Sequence, residues 1–239
     1  MKKQLLTLLV ALTTLHTIGQ TKKVISKLPP VTNGIERDAL NTSMAVLTRG
    51  KPISYEASIE LFNDILSKPN TPALIKKNKI LLSEYLKGST YFGESQSDRY
   101  NTSDTDVAFD FYSFNNQNVF LQGGIMFKYS LNTLKLNADE RAATVVKESL
   151  LPGLANFRPL LASPDISYFC LVSGYIARDF SEDEDSIAYK DGESVAIVIS
   201  KANLKKYINA EITDDEVFKL ASFYNANKST KGIRKITIK

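Results

Sequence analysis

The chain has one cysteine, one histidine and no tryptophan among its 239 residues. Each shortage weakens or removes a class of chemistry. Cys170 stands alone, so no internal disulfide can form, and stability has to come from apolar burial, for which the chain is long enough. The cysteine sits in Tyr168-Phe-Cys-Leu-Val172. There it reads as a small buried hydrophobe, because a reactive thiol needs an electropositive and accessible setting. Lack of tryptophan removes the large flat surface that carbohydrate sites favour.

The histidine, His16, falls inside a segment with the three parts of an export signal. These are Lys2 and Lys3, an apolar stretch over residues 5–15, and the small residue Gly19. Cleavage is expected between Gly19 and Gln20. Thr13, Thr14, His16, Thr17 and Gln20 break the apolar run well short of the roughly 20 residues that a spanning helix needs. Stable membrane insertion is therefore not expected. No cysteine near the cut offers a lipid attachment point. Once cleaved, the chain has no imidazole, which excludes Ser-His-Asp and Cys-His nucleophiles and the usual catalytic zinc centres.

Other signatures are missing too. There is no Ser-x-x-Lys pair, no Gly-x-Ser-x-Gly elbow, no phosphate-cradling Gly-x-x-x-x-Gly-Lys and no Gly-x-Gly-x-x-Gly fingerprint. No cofactor and no metal are expected. The formal charge of +4 falls by two with Lys2 and Lys3, far from the clustered basic surface of a nucleic-acid binder. Any remaining reactivity belongs to carboxylates, lysines and tyrosines.

What is present reads as helices followed by a sheet. Residues 20–33, with Pro29-Pro30 and Asn33-Gly34, form an extended leader. A single domain over 34–239 then has a helical part (34–88), a polar loop (88–105) and a sheet-containing part (106–239). Tyr55, Ile59, Phe62, Ile65 and Leu66 fall on one face of a helix over 55–68. A second stripe of Leu74, Ile75, Leu81, Leu82, Tyr85 and Leu86 runs from Pro72 to Gly88, with Lys76, Lys77 and Lys79 on its solvated side. Residues 35–49 have a weaker helical period. The polar loop, rich in Ser, Asn and Thr, is of a length that is usually functional or disordered.

Strands are expected over 107–114 and 118–131, the second interrupted by Gly123-Gly124 as at a bulge. Alternation puts Val119, Leu121, Ile125, Phe127, Tyr129 and Leu131 on one side. Asn137-Ala-Asp-Glu140 has the composition of a capping box, with a stripe of Ala142, Val145, Val146, Ser149 and Leu150 behind it. Pro152-Gly153 should end or kink that helix, and Leu154, Phe157, Leu160 and Leu161 continue over the sheet. Strands at 167–180 and 193–201, a Thr213-Asp-Asp-Glu216 capping box with Val217, Leu220, Ala221 and Tyr224 on one face, and a strand at 232–239 complete the order. The fold class is α+β: a curved, mainly antiparallel sheet with helices on one face, preceded by an N-terminal helical segment.

Three residue groups are candidate sites. Asp110 alternates with Ala108, Tyr112 and Phe114; it is a functional acid if that face is covered and a wet carboxylate if it is open. Asp104 and Asp106, with Asp98, suggest a cation loop but lack the central glycine and closing glutamate of the calcium pattern. Glu182, Asp183, Glu184 and Asp185 repel one another and call for water, a divalent cation or a basic partner.

The function expected is a non-catalytic, exported binding or interaction module, periplasmic or secreted, whose partner is a small molecule or an envelope protein. The alternatives are a carboxylate-dependent hydrolase or lyase on an extracellular polymer, and an accessory subunit of an envelope complex. All three assume removal of the leader. Mass spectrometry of the native protein is expected to find an N-terminus within a few residues of Gln20; an intact Met1 would overturn export.

Overall fold

A computed structural model of the chain describes residues 50–88, 91–94, 109–114, 117–180, 192–227 and 232–238. All belong to one unit, Gly34–Lys239; the other unit, Met1–Asn33, lies outside the described residues, as does the helix considered at 35–49. Strand β1, Gly50–Ile53, leads into α1, Tyr55–Ser67, where the Ser54 hydroxyl accepts from the Ala57 amide at 3.2 Å. The second helical stripe is two helices, α2, Ala73–Lys77, and α3, Lys79–Gly88. Asn78 breaks them, turning its side chain back to the Leu74 carbonyl at 2.9 Å, the local competition with backbone bonding that asparagine brings to a helix. Strand β2, Tyr91–Glu94, lies inside the stretch read as a polar loop and pairs antiparallel with β1. Its partner is some forty positions upstream, out of reach of any local pattern.

Next come β3, Phe109–Phe114, and β4, Gln117–Asn132. The capping box at Asn137 and Glu140 forms as expected and opens α4, Ala138–Val145. From there the chain stays helical, through a π turn at Val146–Leu150, one α turn at Leu151–Gly153 and a 3-10 stretch at Leu154–Ala162. As expected, the α-helical path ends at Pro152-Gly153 and continues as 3-10 helix, and it also widens into the π turn just upstream. A wide turn relieves the clash between the proline ring and the carbonyl four residues back. Strands β5, Tyr168–Arg178, and β6, Gly192–Ser200, follow. Helix α5, Lys201–Ile208, starts at the residue where the strand was expected to end, because the Ser200 hydroxyl caps it. Helix α6, Asp214–Leu220, has the expected Thr213 capping box, but Tyr224 is not on it. Ala221 turns extended and Tyr224 belongs to β7, Ser222–Asn227, which pairs with β8, Gly232–Ile236.

The main sheet is β3-β4-β5-β6-β7-β8, every strand beside its neighbour in sequence. Four pairings are antiparallel and one, β4 with β5, is parallel. The fold is thus α+β, with a mixed sheet that is antiparallel at four of its five pairings, in keeping with the mainly antiparallel sheet expected. A parallel neighbour needs a long crossover, and the helical arm at residues 138–162 provides it.

The Gly123-Gly124 interruption is a bulge, as read: three steps on β4, from Gln122 to Ile125, oppose two on β5, from Leu171 to Ser173. An extra residue reverses which side chains face which way. Phe120 therefore joins Phe127 and Leu131 in the core beneath the helices, while Val119 and Leu121, expected beside Phe127, do not. Tyr129 was expected in that row as well, yet it is 52% exposed.

The centre of this core is aromatic. The Phe120 ring lies 5.3 Å from Tyr85 and 5.7 Å from Phe157, edge-on to both, and Phe157 lies 4.9 Å from Phe169. Such pairs add about 0.5–1.5 kcal/mol each beyond area burial. The Tyr85 hydroxyl, buried with them, donates to Gln122 Oε1. Helices α1, α3 and the arm thus share one face of the sheet through Phe62, Tyr85 and Phe157.

Candidate functional site

At one end of the sheet, β5, β6, β7 and the start of α4 bring four polar side chains together inside the protein. Arg141 lies one helical turn before Val145 on the inward stripe of α4, so its position in the helix forces it toward the sheet. Glu193 shares the inward face of β6 with Val195, Ile197 and Ile199 by strict alternation. The two meet as a bidentate pair, Nε to Oε2 at 3.1 Å and Nη2 to Oε1 at 2.5 Å, with side chains 8% and 9% exposed. Arg141 Nη1 also donates to the Leu136 carbonyl at 2.6 Å. Tyr175 is the direct cross-strand partner of Glu193. Its hydroxyl accepts from Asn225 Nδ2 at 3.0 Å and hydrogen-bonds the Glu193 carboxylate.

Electrostatics keep this group in one state. Burial pushes the Tyr175 hydroxyl far above its ordinary pKa, and the negative Glu193 beside it pushes the same way. Burial alone would make Arg141 easier to deprotonate, but the Glu193 carboxylate more than offsets it, and the net shift is upward. The ensemble is a neutral ion pair with a protonated phenol. Both Glu193 oxygens are held by the guanidinium, and Asn225 Oδ1 is buried without a hydrogen-bond partner. Arg234 of β8 adds an outer pair with Asp139 of α4. What this arrangement does is hold the arm on the sheet. Sequence reasoning named none of the four as a site residue, although a charged residue in register with an apolar stripe, Arg141 with Val145 or Glu193 with Val195, was the available signal.

The same end carries an exposed rim. Tyr129, Leu134, Ile176 and Phe180 are 52%, 68%, 38% and 46% exposed. The Thr133 amide donates to the Arg178 carbonyl at 3.0 Å, tying the turn that holds Leu134 to the end of β5. Cations lie over two of the rings, Lys128 Nζ 4.6 Å from the Tyr129 centroid and Arg178 Cζ 4.5 Å from that of Phe180. Single exposed apolar residues are ordinary; four at one end of a parallel strand pair, two of them aromatic and with Arg178 among them, share the aromatic and arginine enrichment of contact surfaces.

The sequence candidates fall as follows. Asp110 and Tyr112 are placed in β3, opposite Leu121 and Val119, whose side chains lie outside the aromatic core and are nonetheless buried. The side chains of Asp110 and Tyr112 lie outside the described residues, as do Asp104, Asp106, Glu182, Asp183, Glu184 and Asp185 altogether. Cys170 is buried. Among the described residues, no three metal-ligating side chains converge, and no helix is long and apolar enough to cross a membrane. Comparison with protein-family models, curated proteins and solved structures finds no match.

Two measurements test the buried group. Glu193→Leu is expected to cost about 3–5 kcal/mol, because it strands the Arg141 charge, and Arg141→Met added to it should recover most of that loss. Equal instability of the single and double variants in urea titration would show that the pair does not act as a unit. For Tyr175, both folded and unfolded states carry the phenol proton below pH 10.0, the ordinary value; above it only the folded state keeps the proton. The raised pKa therefore adds stability that is fully present below that pH and drains away as pH rises. Tyr175→Phe should be weaker by about 1–3 kcal/mol at neutral pH yet lose less stability than the parent as pH rises above about 10. Parallel pH profiles would rule out the phenol as the source.

Proposed function

We propose that the protein is an exported, non-catalytic interaction module that meets its partner through the rim at the ends of β4 and β5. One observation carries the reading: Tyr129, Leu134, Ile176 and Phe180 stay in water at the same end of the sheet, with Lys128 and Arg178 stacked on two of their rings. Aromatic residues and arginine dominate the energetics of protein contacts, since they give large area at small entropy cost and can be desolvated with their charge still balanced on a ring. The buried polar group behind the rim supports it as a platform. The bidentate Arg141–Glu193 pair fixes α4 against the sheet and so sets the angle at which the rim is presented. Export is supported by the charged, apolar and small-residue order of residues 1–20.

The test is a triple variant, Tyr129→Ser, Leu134→Ser and Phe180→Ser, compared with the parent at matched thermal midpoint. The parent is used to isolate its partner from the native envelope, and affinity for that purified partner is then measured. A loss of tenfold or more, about 1.4 kcal/mol, is expected. Unchanged affinity would remove the rim as the contact.

A further inference from the structure

We propose that the helices over the sheet carry a second binding site, a basic patch that takes a linear polyanion of the acidic-polysaccharide class. The patch is made by α2, α3, the 3-10 stretch and α5, and it is separate from the rim. These elements stand side by side. Tyr85 of α3 stacks on Phe157 of the 3-10 stretch at 5.9 Å, and Arg158 Nη2 donates to the Ile208 carbonyl of α5 at 3.0 Å. Helix α2 brings Lys76 and Lys77, and α3 brings Lys79 and Lys87. The 3-10 stretch adds Arg158, and α5 adds Lys201, Lys205 and Lys206. Against these eight cations the same elements hold one carboxylate, Glu84. The local excess is larger than the +4 of the whole chain, so charge is segregated on this fold rather than spread over it.

Internal pairing cancels little of this charge. Lys77 meets Asp165 at 2.6 Å and Lys87 meets Glu84 at 2.7 Å. Lys76, Arg158 and Lys201 donate to backbone carbonyls, which occupies donors and leaves the charge in place. The helices on either side have the opposite sign. Beyond α3, α1 exposes Glu56, Glu60 and Asp64; beyond α5, α6 exposes Asp214, Asp215 and Glu216. With packed helices about 8–10 Å apart, the basic patch is about 20 Å across. Salt screens charge over about 8 Å, so the acidic margins are muted at the centre of the patch and repel an anion that extends over them. A broad anionic surface such as a membrane meets those margins, whereas a polymer strand lies between them. A single-stranded nucleic acid needs exposed rings on which to stack its bases. The patch offers none, since Tyr85 and Phe157 are buried and Tyr207 is half-buried with its hydroxyl bonded to Asp214 at 2.8 Å. Seven of the eight cations are lysines, point charges that suit a flexible charged chain better than the fixed fork of one phosphate. The choice of a glycan over a nucleic acid duplex rests on the export proposed above.

The experiment titrates the full chain with heparin and polygalacturonate fragments by calorimetry, over a series of salt concentrations. A DNA duplex of matched charge and phosphatidylglycerol vesicles are run beside them. The parent is expected to bind both glycans, more weakly as salt rises, and to prefer them to the duplex and the vesicles. Lys79→Glu with Lys205→Glu should weaken glycan binding at least about tenfold. Lys135→Glu with Lys235→Glu, the same change of net charge outside the patch, should stay within about twofold of the parent. Versions with Gln in place of Glu at 79 and 205 should fall between, and all variants are compared at an unchanged thermal midpoint. A parent that binds neither glycan at low salt overturns the proposal, as does an equal loss in both charge-reversed variants. Preference for the vesicles overturns it in favour of a membrane. Preference for the duplex overturns the glycan, together with export if the native chain keeps Met1 and alone if the leader has been removed. The rim's serine variant should bind the glycans as the parent does; loss there would move the site to the rim and sink the patch.

Discussion

β4 and β5 lie side by side and run the same way, so the chain leaving β4 must return to the starting end of the sheet before β5 can begin. That single parallel pairing determines where nearly everything else goes. The return path is the helical arm at residues 138–162, and because it spans the sheet, it buries Ala142, Val145, Val146, Leu150, Leu154, Phe157 and Leu160 against the strands. It also places the first turn of α4 above the ends of β5 and β6, where Arg141 can reach Glu193. The bulge at Gly123-Gly124 serves the same pairing from below. Without the extra residue, Phe120 and Phe127 would point to opposite faces, and the long strand could not serve the aromatic centre and the arm together.

Bringing a guanidinium and a carboxylate out of water is costly, and in the interior their attraction offsets that cost only when the geometry is close and the remaining donors are satisfied. Here the pair is bidentate, the third guanidinium nitrogen reaches a backbone carbonyl, and a phenol and an amide close the outer side. Apolar burial is non-directional, so on its own it sets no fixed orientation for the arm beyond the fit of its side chains. A forked hydrogen-bonded pair has one position. The rim depends on that position, because Leu134 stands two residues past the end of β4 and α4 begins three residues after Lys135.

Much of the architecture could be read from the chain in advance, and the reasons are local. Two capping boxes, at Asn137 with Glu140 and at Thr213 with Glu216, announced the starts of α4 and α6 because such caps satisfy backbone groups within four residues. The glycine pair announced a bulge. What escaped was decided at long range. β2 exists through pairing with a distant strand; the Phe223-Tyr224 stretch reads as the tail of a helix until β6 and β8 flank it. Of the candidate site, Asp110 and Tyr112 were chosen by alternation in β3, while Arg141, Glu193, Tyr175 and Asn225 come from four elements, and no spacing along the chain links them.

By itself, then, the sequence determined composition-level and local matters: a core built without disulfides, a single histidine placed within the first twenty residues, helix starts, strand periods and the α+β class. These follow from interactions within a few residues or from which side chains are absent altogether. Tertiary structure alone decided the direction of β5 relative to β4, the face each side chain of β4 takes beyond its bulge, and the meeting of Arg141 with Glu193. The physical reason is that strand direction and buried ion pairing are settled by which elements share a core, and a pattern of local preferences is compatible with more than one such sharing.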